Sequence, residues 1–307
     1  MYVFGIDIGG TRIKIGFFDE NHNLLDKWSI ETVSSSLFKD LAANILAYLN
    51  TKGISTDEII GYGIGIPGYV KDGIALNCVN LRWKNVNVKE EFTKAIGYDC
   101  NVAIYNDAKL AAYGEYVKSD KAYSSIVFIT LGTGIGGGII TNGVIQDGAS
   151  GLCGEIGHIL VDDEIGFKCS CGRRGCFETV ASATGIKRLA NYYNSIYNIN
   201  YMYTSAKHVM ESAKDGREGA VLAIEKAAKY IARVFSTLSL TIDPNAFIIG
   251  GGVSDAGDFL LDKIKRYYET ESFVEARNTD IIISKLKNDA GIYGASAFII
   301  KKFKEVS

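Results

Sequence analysis

Residues 2–18 read YVFGIDIGGTRIKIGFF, two apolar runs divided by Gly9-Gly10-Thr11. Apolar or alternating residues over 2–8 and 13–18 predict two strands, and the glycine pair predicts a very tight hairpin turn between them. The arrangement returns at 124–145, SSIVFITLGTGIGGGIITNGVI. There the pattern predicts an apolar strand over 124–131, a turn from Gly132 to Gly138 and a returning strand over 138–145. Two units that open in the same way imply an internal duplication.

Outward from the first hairpin, a third strand is expected over 24–32. Leu37, Leu41, Ile45, Leu46 and Leu49 then fall at helical spacing, and the helix stops near Gly53. A strand over 59–66 ends in Pro67-Gly68, a helix covers 88–96, and a strand over 101–105 delivers Asn106-Asp107 into a helix running to about 117. Beyond the second hairpin the pattern predicts helices over 178–194, 204–214 and 217–241, then a strand over 246–249 ending in Gly250-Gly251-Gly252. Helix 255–270, strand 280–286 and a last helix from about 291 follow. Hairpins succeeded by alternating helix and strand imply mixed α/β sheets covered by helices. The expected division is a smaller domain over 1–117, onto which the helix 291–307 folds back, and a larger one over 118–290, with ligands in an interdomain cleft.

The 307 residues are 47% hydrophobic and carry a formal net charge of -2 without a basic block. That balance argues against nucleic acid or a charged membrane surface as the main partner. No apolar run approaches the roughly 20 residues that span a bilayer. The start MYVFGIDIGGT runs straight into a strand with no basic region or cleavage site ahead of it, so a cytoplasmic location is expected. In a reducing compartment clustered cysteines are metal ligands before they are disulfides. Cys78, Cys100 and Cys153 stand apart and read as ordinary buried thiols.

Several motifs carry chemistry. At Asp7-Ile8-Gly9-Gly10-Thr11 and Leu131-Gly132-Thr133-Gly134 the backbone lacks Cβ atoms, so N–H groups and a threonine hydroxyl can cradle phosphate oxygens. One such turn alone is more simply a β-turn without a ligand; two at matching places reverse that preference. Asp7, at the end of a strand, can hold a magnesium ion through water. Gly250-Gly251-Gly252 suits a flat ring lying against the backbone, or a plain helix-entry turn. Asp107 reads as a helix cap or as a base facing a ligand. Neither a Walker loop nor a dinucleotide fingerprint occurs. Cys169, Cys171 and Cys176 lie within a Gly-rich loop just after His158 in HILVDDEIGFKCSCGRRGCFE, residues 158–178. Three thiolates and one imidazole make a closed tetrahedral set, which implies a structural zinc rather than a Lewis acid. Lys109, Arg173 and Arg174 are taken as solvated.

Together these motifs resemble the ROK family (repressors, open reading frames and sugar kinases), within the sugar kinase/actin/heat-shock-70 ATPase superfamily. The matching stretches are DIGGTRIKIG at 7–16, GIGIPG at 63–68, NLRW at 80–83, NDA at 106–108, LGTGIGGG at 131–138, GEIGHI at 154–159, CSCGRRGCFE at 169–178 and IIGGGVS at 248–254. The resemblance implies a two-domain actin-like ATPase (ribonuclease H-like) fold and ATP-dependent phosphorylation of a hexose 6-hydroxyl, with glucose the first choice. N-acetylmannosamine, mannose, fructose, allose or a β-glucoside are alternatives, as is a sugar sensor without catalysis. By resemblance Asp107 is the catalytic base; Gly68, Asn80, Asn106, Glu155, His158 and Glu178 contact the sugar; and His158, Cys169, Cys171 and Cys176 hold zinc. ATP and Mg²⁺ are assigned to Asp7, Gly9, Gly10 and Thr11, to Gly132, Thr133, Gly134, Gly136 and Gly137, and to Gly250, Gly251 and Gly252. A homodimer is also implied. Because the DIGGT strand starts at residue 2, the family's repressor branch is not expected. Two departures stand out: Lys109 where family kinases often carry asparagine, and Cys153 where a small residue is usual.

Overall fold

The computed structural model describes residues 1–71, 73–162 and 164–306. Position 307 of the expected last helix and position 163 of the cysteine loop lie outside these. The chain divides into two units: residues 1–120, 147–151 and 288–307 form one, and residues 121–146 and 152–287 the other.

In the first unit β1 (Tyr2–Ile8), β2 (Arg12–Asp19) and β3 (Leu24–Glu31) form an antiparallel meander. β4 (Ile59–Ile66) and β8 (Val102–Asn106) extend it in parallel, giving the order β3-β2-β1-β4-β8. Hairpin register sets Ile8 opposite Ile13 and Asp7 opposite Lys14. One face of the sheet is covered by α1 (Leu37–Lys52) and α2 (Val88–Ile96), whose apolar stripes meet Phe4, Ile6 and Ile64 in a continuous core. The other face takes α9 (Ala290–Val306) beside α3 (Asp107–Val117). Glycines allow this close approach: a Cβ on Gly63 would lie 1.9 Å from the Ala295 carbonyl oxygen, and one on Gly294 1.7 Å from that of Leu110. A small antiparallel sheet, β5 (Tyr69–Lys71), β6 (Ile74–Cys78) and β7 (Trp83–Asn87), is an addition that the sequence pattern did not predict.

The second unit repeats the plan. β9 (Ser125–Leu131), β10 (Ile135–Thr141) and β11 (Val144–Ile145) form the meander, and β12 (Ala246–Gly250) and β13 (Asp280–Ile283) add in parallel, in the order β11-β10-β9-β12-β13. Strand for strand this matches the first unit, so the duplication read from the two hairpins is present in the topology. Helices α5 (Ala183–Ile196), α6 (Ala206–Lys214), α7 (Glu218–Ile242) and α8 (Asp258–Glu271) complete it. Its core centres on α7, where Phe235 stacks on Phe247 of β12 at 4.1 Å between ring centroids.

Three local expectations change. The second hairpin turn is only Gly132–Gly134, because Gly136 to Gly138 are paired inside β10. The helix expected over 178–194 breaks into α4 (Glu178–Ala181) and α5 at Ser182, whose extended backbone and hydroxyl, accepting from the Gly185 N–H at 3.0 Å, start a new helix. Strand β13 ends at Ile283 rather than near 286.

Candidate active site

In the first unit the tight turn is held from behind. The Gly9 N–H donates to the Arg12 carbonyl at 3.0 Å, and the Thr32 hydroxyl donates to the Gly9 carbonyl at 2.8 Å. Gly10 and Thr11 are therefore fixed yet exposed. Asn80 flanks this turn, its Cβ 3.5 Å from where a Cβ on Gly10 would sit. Asp7 lies just before it, with Lys14 Nζ 3.5 Å from its Oδ2 and the backbone of Gly291 behind the carboxylate. Burial raises the Asp7 carboxyl above the usual range, and Lys14 opposes that rise.

Asp107 opens α3 and Asn106 is its N-cap. The Asn106 Oδ1 accepts from the Lys109 N–H at 3.0 Å, and Asn106 Nδ2 donates to the Gly68 carbonyl at 3.0 Å. The structure thus brings Gly68, Asn106 and Asp107 together at a helix N-terminus, where backbone dipoles favour a carboxylate. The Ala108 N–H donates to Asp107 Oδ1 at 2.8 Å, which fixes one oxygen and leaves Oδ2 outside that bond. Cys78, fully buried, has its thiol pushed up to about 11 by burial and then by the charge of Asp107.

Lys109 corrects an expectation. It is 5% exposed rather than solvated, and its ammonium donates to Asp147 Oδ1 at 2.7 Å and to the Gly151 carbonyl at 2.9 Å. The Tyr105 hydroxyl donates to the other oxygen of Asp147. These bonds pin segment 147–151 to the first turn of α3, two residues from Asp107. Lys14 and Thr32 were also missed. Lys14 was readable, because the register of the first hairpin sets it opposite Asp7.

In the second unit one ligand atom each from His158, Cys169, Cys171 and Cys176 lies within 4.8 Å of all the others. His158 Nδ1 is 3.6 Å from Cys169 Sγ, and Cys171 Sγ is 3.6 Å from Cys176 Sγ. Bonds of about 2.3 Å at tetrahedral angles require sulfurs about 3.8 Å apart, so the donor set fits a zinc-sized ion. Cys171 is held down to about 6 by the Arg173 backbone N–H and guanidinium, whereas burial pushes Cys176 up. Arg173 also donates to the His158 carbonyl at 2.8 Å, so it serves the loop and is not merely solvated. With Nδ1 turned to the thiols, His158 keeps Nε2 for another partner.

Glu178 joins the elements of this unit. Its Oε1 accepts from Cys169 Sγ at 3.1 Å and from the Ser170 hydroxyl at 3.3 Å. Its Oε2 is 2.8 Å from where a Cβ on Gly134 would stand, so a larger residue in the turn there would displace the carboxylate. The Ala183 N–H donates to the Gly132 carbonyl at 2.8 Å and steadies the same turn. Gly251, at φ +81°, packs on the backbone of Leu131 and sets the triple glycine beside it. Glu155 lies on the adjoining segment, its carbonyl accepting from the His158 N–H at 3.1 Å. Gly136 and Gly137 are not brought to the turn. A Cβ on the buried Gly137 would lie 2.8 Å from the Gly154 carbonyl oxygen, so its glycine is needed for packing. Gly250 is likewise buried at the end of β12.

The sequence profile of the ROK family matches residues 3–302. The chain belongs to the ROK family. Among its relatives, a glucokinase of Halalkalibacterium halodurans is 36% identical over 94% of this chain and 92% of its own. An N-acetylmannosamine kinase of Escherichia coli is 32% identical over 96% of this chain and 97% of its own. A ROK family glucokinase from Streptomyces griseus, solved with glucose and AMPPNP, is 30% identical with a TM-score of 0.77, covering 97% of this chain and 99% of that one. The fold is accordingly the α/β actin-like ATPase fold.

Proposed function

We propose that this ROK protein is an ATP-dependent hexose kinase that phosphorylates the 6-hydroxyl of glucose. The observation that carries the reading is the position of Glu178, with one oxygen accepting from the Ser170 hydroxyl of the cysteine loop and the other set beside the Gly132–Gly134 turn. A carboxylate there orients a polyhydroxylated ligand close to a phosphate cradle, with no need for redox or hydrolytic groups. The resemblance of the chain to glucokinases over most of its length supports glucose as that ligand. The N-acetylmannosamine kinase relative marks the alternative sugar.

In this proposal Asp107 Oδ2 takes the proton of the 6-hydroxyl as the oxygen attacks the γ-phosphate. Positioning and charge neutralisation supply most of the rate. Asn106, Glu155, His158 Nε2 and Glu178, with Gly68 and Asn80, hold the sugar hydroxyls. The turns at Gly9–Thr11 and Gly132–Gly134 offer backbone N–H groups to ATP phosphates, and the glycines at 250–252 border the nucleotide. Asp7 would hold Mg²⁺ through water, and that ion supplies charge neutralisation on the phosphates. His158, Cys169, Cys171 and Cys176 would hold a structural zinc that fixes the His158 ring. The chain acts as a homodimer in the cytoplasm. Among the described residues no helix is long and apolar enough to cross a membrane. An ADP-release assay across glucose, mannose, fructose, allose and N-acetylmannosamine tests the reading; turnover is expected to be fastest with glucose. Absence of turnover on all of them by folded protein would overturn it, and a preference for N-acetylmannosamine would reassign the sugar.

A further inference from the structure

The three cysteines of the cluster differ in how far solvent reaches them. Cys171 is exposed, whereas Cys169 and Cys176 are buried at 4% and 0% exposure. The flank of Cys171 is open, since a Cβ added to the neighbouring Gly172 would meet nothing within 4 Å. Yet the buried Cys176 Sγ stands only 3.6 Å from the Cys171 Sγ. Between the two, residues 172–175 turn through Gly172 at φ +91° and Gly175 at φ +77°. That turn is tied back by two backbone bonds, the Cys169 N–H to the Arg173 carbonyl at 2.8 Å and the Gly175 N–H to the Phe167 carbonyl at 2.9 Å. An outward thiol and an inward one are thus held in register. Closing them to a disulfide length of about 2.0 Å needs an approach of only about 1.6 Å. Cys169 lies apart from this pair, its Sγ 3.6 Å from His158 Nδ1.

We propose that Cys171 is a site of oxidation by hydrogen peroxide and that Cys176 resolves it, closing a disulfide that dismantles the metal cluster. As a metal ligand Cys171 is a thiolate, the form that reacts. Its sulfur attacks one peroxide oxygen and the O–O bond breaks. Cys171 becomes a sulfenic acid, and the other oxygen leaves as hydroxide and is protonated by solvent. The Cys176 thiolate then attacks the sulfenic sulfur, the S–O bond breaks, and a second hydroxide leaves in the same way. Each sulfur has lost one electron, and the peroxide has taken up both as two waters. His158 and Cys169 are the donors that remain, too few to hold zinc. His158 then loses the restraint on Nδ1, and the sugar contact assigned to its Nε2 loosens. In a reducing compartment thiol exchange reopens the bond, so the change is reversible. Disulfide formation and metal release do not depend on the kinase reading, whereas the loss of sugar affinity rests on it.

The full zinc-loaded chain is treated with excess hydrogen peroxide. Zinc release is followed with a chromogenic chelator, free thiols are counted after denaturation, and unreduced tryptic peptides are mapped by mass spectrometry. Zinc is expected to leave as two of the six thiols disappear. The map should show peptide 169–173 joined to peptide 175–187, with fragmentation placing the bond on Cys171 and Cys176. Dithiothreitol followed by added zinc is expected to restore the thiols and the metal. Glucose Kd should rise about tenfold or more on oxidation and return on reduction. Cys169→Ser keeps the pair and is expected to form the same bond, whereas Cys171→Ser should keep its remaining thiols under the same treatment. Mapping of the wild type decides the pair whether or not either variant folds. Retention of all six thiols and zinc, a bond from Cys169 to either neighbour, oxidation of Cys171 without a bond to Cys176, or a disulfide between two chains would each overturn the site. Disulfide formation with an unchanged glucose Kd would overturn the link to the sugar, and the thiol and zinc readouts involve no sugar at all.

Discussion

The Lys109–Asp147 pair gives a stability test whose asymmetry follows from burial. Lys109 is 5% exposed, whereas the Asp147 side chain is 46% exposed and keeps the Tyr105 hydroxyl as a second partner. In Lys109→Met the aliphatic stem stays packed and the ammonium goes. Water can rehydrate the half-exposed Asp147, so the loss is one charge-assisted bond discounted for screening plus the orphaned Gly151 carbonyl, about 2 kcal/mol. In Asp147→Asn the buried ammonium remains without its counter-charge, which costs about 3 kcal/mol or more. The double variant removes the stranded charge and is expected to lose about 2 kcal/mol, well short of the sum of the singles. For a chain of this size each 1 kcal/mol moves Tm by about 2–4 °C. Thermal melts of the three variants should therefore rank Asp147→Asn below Lys109→Met, with the double variant near the latter. If Asp147→Asn were the milder change, or the two effects simply added, the reading of Lys109 as a buried cation held by Asp147 would be wrong.

Three further outcomes are expected. Glu225 of α7 accepts from Lys263 at 2.6 Å, Arg266 at 2.5 Å and Tyr267 at 2.8 Å on α8. Burial alone would raise its carboxyl, but the Lys263 and Tyr267 hydrogen bonds and the charges of Lys263 and Arg266 outweigh it and leave it lowered. A lowered carboxyl stabilises the fold above its unfolded value of about 4.3 and loses that contribution as pH falls through the folded value. Glu225→Gln should thus lower Tm at neutral pH by a few degrees, equivalent to about 1–2 kcal/mol, with the difference from wild type vanishing in acid; a gap that persists at low pH would refute the linkage. Cys176→Ser is expected to lose zinc by elemental analysis and to raise the glucose KM about tenfold or more as His158 and Glu178 loosen; zinc loss with an unchanged KM would uncouple the cluster from the sugar. The Cys78 thiol, pushed up to about 11 inside the core, should resist iodoacetamide in the native protein at pH 8 and react after unfolding; native labelling at the denatured rate would contradict its burial.

Much of the fold was legible because hairpin turns are punctuated by glycine and their strands are continuous apolar runs. Ile59–Ile66 and Val88–Ile96 match the expected bounds for that reason, since both start and stop on turn chemistry. Sheet β5–β7 was not legible, as WKNVN and IALNC mix polar and apolar residues without a clean period. Gly136 to Gly138 misled in the other direction. A glycine run reads as a turn, but here the residues lie inside β10, and at Gly137 packing against Gly154 excludes a side chain. Within the site, the cysteine cluster was readable from local spacing alone. Lys109 was not, because Asp147 lies 38 residues away and burial of a lysine depends on contacts that no local window contains.

The central claim is that Asp107 is the base of an ATP-dependent glucose kinase. Glucose 6-phosphate formation and glucose affinity, measured side by side in wild type and Asp107→Asn, test it most directly. Turnover is expected to fall by about 10²–10⁴-fold while the glucose Kd stays within about threefold, since the asparagine preserves shape and the hydrogen bond from the Ala108 N–H. Near wild-type turnover in the Asp107→Asn protein would contradict the assignment.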